Sequence, residues 1–155
     1  MCQMCEEPER SEEQHLSEVL DRIREYGWCV QGVREPGSRP PWAYTAGLTG
    51  QGLPELVVTG LSLQEAAYVL NAGAEHILHT GPPEPGEQWL LPRLPALEVV
   101  RLSAPATHLY MAVCCYGAGI EARQLVYADP AGRFPWSPQY NFGLGGQPVL
   151  GVRDA

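Results

Sequence analysis

The chain has 155 residues, 45% of them hydrophobic, the size and composition of one globular domain with a core of its own. Its formal charge is −8, from 18 acidic and 10 basic residues, and every basic residue is arginine. The absence of lysine excludes Schiff-base chemistry, a phosphate-loop lysine and any Ser–Lys pair, and an acidic chain without a basic run argues against nucleic-acid binding.

No apolar run is long enough to span a bilayer, and no basic segment precedes an apolar one at the N-terminus. These features lead us to expect a cytoplasmic protein without a membrane segment. Five cysteines, an odd number, do not suggest a disulfide framework in a reducing compartment. Cys2 and Cys5 have the spacing of half a zinc site, for which His15 or His108 is able to supply nitrogen. A structural zinc needs four ligands, and no second Cys-x-x-Cys occurs. Zinc is therefore the weakest cofactor expectation, and no metal is favoured.

Residues 1–10 read as a flexible lead-in, and 11–155 as a single α+β domain. Ser11 to Gln14 has the form of a capping box. Leu16, Val19, Leu20 and Ile23 then repeat at i, i+3, i+4, i+7, and Gly27 stops the helix. Trp28 to Val33 reads as a strand, and Pro36 to Pro41 as a turn. Trp42, Tyr44, Ala46 and Leu48 alternate with smaller residues and predict a second strand with an aromatic face. A glycine-rich loop over 49–54 leads to a third strand, Glu55 to Thr59. Short connections among the three predict an antiparallel meander.

Ser62 to Glu65 opens a second helix that Gly81 ends. The following 82–96 stretch carries five prolines, which suits an edge strand or an irregular loop. Leu97 to Leu102 is the next strand. Thr107 is expected to cap a helix through Leu109, Ala112, Val113 and Tyr116, closed by Gly117. Arg123 to Ala128 forms a strand, and Asp129 to Gly132 a turn. The expected fold is thus a mainly antiparallel sheet of about five strands, with two to three helices packed on one face.

Several of these segments carry a resemblance. They are Gly27-Trp28 with Val30 to Val33, Pro40 to Thr45 with Gly47 to Thr49, and Leu53 to Leu61. The set continues with His108 and Tyr116-Gly117, Gln124 to Val126, Gly132 to Trp136, and Gln147 to Gly151. Together they resemble a small bacterial and phage family described as domain of unknown function 4262. Ala46 and the paired Cys114-Cys115 depart from its usual residues. The resemblance implies one domain of shared architecture and brings no activity with it.

Four groups of residues carry candidate chemistry. Trp42, Tyr44, His108, Arg133 and Trp136 are candidate ligand-binding residues, because a phenol, an imidazole and a guanidinium between indoles suit a small molecule or a protein segment. Tyr44 and His108 are in addition candidate catalytic residues, as an acid–base pair in an enzyme reading. His76 and His79, with Glu75, form a helical histidine pair outside any metalloprotease motif. Cys29, Cys114 and Cys115 sit in apolar contexts, and the two helical turns between His108 and Cys115, about 10 Å, are too long for a dyad. Finally, the amides of the Gly47–Gly52 turn have the composition of an anion cradle, though no helix follows directly. The leading expectation is a ligand- or protein-binding domain with an aromatic-lined site near Trp42 and Tyr44. The alternatives are the acid–base enzyme and the Cys2/Cys5 metalloprotein.

Overall fold

The computed structural model describes residues 11–34, 37 and 39–153. The 1–10 lead-in with Cys2 and Cys5, and part of the turn before Arg39, lie outside the described residues.

Helix α1 (Glu12–Tyr26) starts where the capping box predicts. The Ser11 hydroxyl oxygen accepts from the Gln14 amide, the Gln14 side chain accepts from the Ser11 amide, and Gly27 closes the helix at φ 97°. Strands β1 (Cys29–Val33), β2 (Trp42–Ala46) and β3 (Glu55–Thr59) form the expected antiparallel meander. Helix α2 (Leu63–Thr80) is capped by Ser62, whose oxygen accepts the Glu65 amide while its hydroxyl donates to the Glu65 carboxylate. Strand β4 (Gln88–Trp89) is the short edge strand within the proline-rich stretch, and β5 (Leu97–Leu102) follows. Helices α3 (Pro105–His108) and α4 (Tyr110–Tyr116), strand β6 (Ala122–Tyr127) and strand β7 (Gly151–Val152) complete the order.

The sheet runs β1-β2-β3-β6-β5-β4, with β7 also paired to β5. Among the described residues only the β3–β6 pairing is parallel. Among the described residues seven strands replace the expected five, because β4 and β7 are two-residue pairings, too short to carry a readable period.

The expectation of helices on one face is corrected: they cover both. Every residue of β3 is buried, so each face of the central sheet needs a cover. On one face Ala66, Val69, Leu70, Ala74 and Ile77 of α2 pack on Ala43, Leu56, Val58, Val99 and Leu125. Gly73 lets this helix approach closely, since a Cβ there would stand 2.7 Å from the Leu125 side chain. On the other face Val19 of α1 and Met111 and Ala112 of α4 pack with Cys29, Tyr44, Ala46, Val57 and Leu102.

Two local expectations are also corrected. The alternation starting at Trp42 ends at Ala46, because Leu48 begins a 3-10 turn (Leu48–Gln51) and swings to the α2 side of the core. Thr107 does not cap one continuous helix. Pro105 opens α3 a turn earlier, as proline favours the first helical position, and Leu109, at φ −114° and ψ 61°, breaks it from α4. Among the described residues no helix is long and apolar enough to cross a membrane.

Candidate functional site

The break at Leu109 explains what the aromatic face of β2 does. A continuous helix would pair the His108 carbonyl and the Met111 amide internally. Instead the Trp42 indole donates to the His108 carbonyl at 2.9 Å, and the Tyr44 hydroxyl accepts from the Met111 amide at 2.8 Å. Trp42 and His108 meet edge to face with ring centres 5.9 Å apart. The structure thus brings Trp42, Tyr44 and His108 together. Tyr44 is only 2% exposed and faces α4 rather than an open cleft.

Arg133 and Trp136 belong to a second cluster. Trp42 pairs with Thr59, and Val126 of β6 with Glu98 of β5, so Trp42 and Glu98 stand three strands apart, roughly 14 Å, at the same end of the sheet. Arg153 donates to Glu98 at 2.7 Å and lies 3.7 Å above the Trp136 ring, which stacks on Phe134. Arg133 pairs with Asp129 at 3.4 Å and faces the Phe142 ring.

Asp129 organises this second cluster. Its carboxylate accepts the amides of Ala131, Arg133 and Asn141 at 2.8 to 2.9 Å. Burial alone would raise its carboxyl, but these amides and the Arg133 guanidinium hold it below the ordinary value. Asn141 and Phe142 are held at φ 49° and 55°, in the left-handed region, and Phe142 and Leu144 are each 79% exposed. Gln147 then exchanges hydrogen bonds with the Tyr127 backbone, and Gln124 holds the Pro148 carbonyl and the Leu150 amide. These two glutamines fasten the C-terminal segment across the sheet face.

The glycine-rich turn does cradle an anion, and the anion is the protein's own. The amides of Gly47, Leu48 and Thr49 and the hydroxyls of Thr45 and Thr49 all point at the Glu55 carboxylate, which is fully buried. Those amides are already engaged and offer an external anion no free donor. A carboxylate opening an otherwise apolar strand just after a glycine-rich turn was the signal available in the sequence.

The remaining candidates are apart. His76 rests edge to face on the buried Trp89 ring at 4.6 Å, whereas His79 is exposed. His15 is buried and shares a hydrogen bond of 2.8 Å with Gln31, whose amide nitrogen reaches the Cys29 sulfur. Cys114 is exposed, and burial, with Cys114 and Glu55 nearby, pushes the Cys115 thiol up to about 11. Among the described residues no three His, Cys, Asp or Glu side chains are grouped to hold a metal ion.

No curated protein and no solved structure matches the chain. A family model does match, over residues 22–141, which spans β1 to β6 and the Asp129 loop. The chain belongs to the family described as domain of unknown function DUF4262.

Proposed function

We propose that the domain is a protein-binding module, and that Phe142 and Leu144 are the knobs it inserts into an apolar pocket of its partner. One observation carries this reading: Phe142 is held in the left-handed conformation yet stays 79% exposed. For a non-glycine residue that backbone costs about 1–2 kcal/mol, and burial of the ring returns little, its internal partner being the Arg133 guanidinium 5.6 Å above it. Strain kept for so small an internal return points outward, to a contact made with something else.

Arg133 and Trp136 supply the rim in this proposal. Both residue types are over-represented among energetically important contacts between proteins. Both guanidiniums of the cluster are already matched by Asp129 and Glu98, so the surface asks for an apolar rather than an acidic partner. Trp42, Tyr44 and His108 serve the same end of the sheet by anchoring the α3–α4 break.

Photo-crosslinking tests the proposal. A benzophenone amino acid is placed at 142, at 144, and at Leu90, which is 86% exposed but lies in another segment. The expected result is one discrete adduct from 142 and 144 in the producing cells, absent from 90 and lost in Trp136→Ala. Adducts of equal yield from all three positions would overturn it.

A further inference from the structure

Beyond that surface, the opposite side of the sheet carries a cleft of about 430 Å³, within the range of small-molecule sites. It lies between the first turns of α2 and the 91–95 turn, with Leu61, Val69, Leu94 and the Tyr68 and Tyr127 rings among its walls. The Tyr127 hydroxyl donates to the Thr59 carbonyl at 2.9 Å, which fixes that ring in place. The cleft is therefore preformed, and its walls suit a flat apolar body of one or two rings.

The turn at its mouth is built unusually. The Leu94 amide donates to the Leu91 carbonyl at 3.3 Å, Pro92 occupies the second position, and the third residue has φ 65°. This is the form of a type II turn, whose third position ordinarily takes glycine. Here it is Arg93. Among the described residues no hydrogen bond or ion pair engages its guanidinium, and the residue is exposed at the edge of the cleft. Pro92 and Pro95 flank it and stiffen the turn, so little backbone ordering remains to be done on binding.

We infer that this cleft binds a small aromatic carboxylate, its rings between Tyr68, Tyr127 and Leu94 and its carboxylate on the Arg93 guanidinium. Glu65, the other charged group of the cleft, accepts the Ser62 hydroxyl at the α2 N-terminus. Its charge directs the ligand's anionic end away from α2 and toward the arginine.

The test uses the full chain with 1-naphthoate and its neutral counterpart 1-naphthalenemethanol, monitored by calorimetry and by NMR shifts of the Val69 and Tyr68 signals. Arg93→Gly is the decisive variant, since glycine fits the turn and the fold is expected to melt no lower. Wild type should prefer naphthoate by about threefold, the worth of an ion pair with an exposed guanidinium. In the variant the preference should fall to about one while the neutral probe still binds. A preference unchanged in Arg93→Gly overturns the carboxylate assignment. If neither probe moves Val69 or Tyr68, the cleft itself is overturned as a site.

Discussion

Two turns of this domain solve the same backbone problem in opposite ways. At 47–52 the positive-φ positions are glycines, Gly47 at 133° and Gly52 at 77°, and the Gly47, Leu48 and Thr49 amides are spent on the buried Glu55 carboxylate. At 91–94 an arginine takes the place of the glycine and its charge is left at the surface. The first turn is relaxed, saturated and internal. The second is strained and leaves its guanidinium unsaturated; the 129–146 loop shares the strain, at Phe142, but its Ala131, Arg133 and Asn141 amides are taken up by Asp129. Glycine turns that feed their own core make the fold; Arg93 and Phe142, bulky side chains held at positive φ, stand at the two surfaces proposed to meet a ligand or a partner.

By that distinction the largest loss belongs to the saturated turn. Glu55→Gln sets an amide NH₂ against donors that now have no acceptor, and should cost about 3 kcal/mol, with a thermal midpoint lower by roughly 10 °C. Chemical denaturation and calorimetry measure it. A loss below a quarter of that would mean the carboxylate is not the organising group.

Gly47→Ala comes next. Its Cβ would lie 2.6 Å from the Gly27 carbonyl oxygen at a φ that alanine rarely adopts, so about 2 kcal/mol should be lost. Asp129→Asn tests the strained loop through pH. The Asp129 carboxyl is held below its ordinary value when folded, so the wild-type advantage is complete above the ordinary carboxylate value and is lost as pH falls through the depressed folded one. Melting wild type and variant from pH 7 down to pH 2 should show the gap closing only at the acid end. A gap independent of pH would remove Asp129 as the loop's anchor.

The smallest effect has the opposite sign. Phe142→Gly should raise the midpoint by about 2 °C through relief of left-handed strain, and should abolish crosslinking from position 144. Destabilisation instead would show that the ring supports the fold, and would erase the contrast between the turns.

The scaffold was largely legible in the sequence, for local reasons. Ser11, Gly27, Ser62 and Gly81 mark helix ends by capping chemistry, and the alternation through Trp42 to Ala46 marks a strand. What escaped depends on partners distant in the chain. Nothing near Trp42 announces that its indole holds a carbonyl 66 residues away, or that Tyr44 serves the Met111 amide. The five aromatic and basic candidates therefore looked like one site, whereas the sheet order divides them between two clusters. Arg93 escaped for a different reason. An arginine between prolines looks like an ordinary loop residue until its φ is known.

The lone parallel pairing also constrains how the molecule is made. Strand β6 lies between β3 and β5, and Val57 meets Gln124 across a sequence gap of 67 residues. The meander and α2 emerge from the ribosome well before the strand that completes the middle of the sheet. Until Ala122 to Tyr127 has been synthesised, β3 presents one unpaired edge, with Leu56, Val57 and Val58 at its centre, to its surroundings. A chain stopped short of β6 is accordingly a strand donor in search of an acceptor, prone to aggregate with its neighbours.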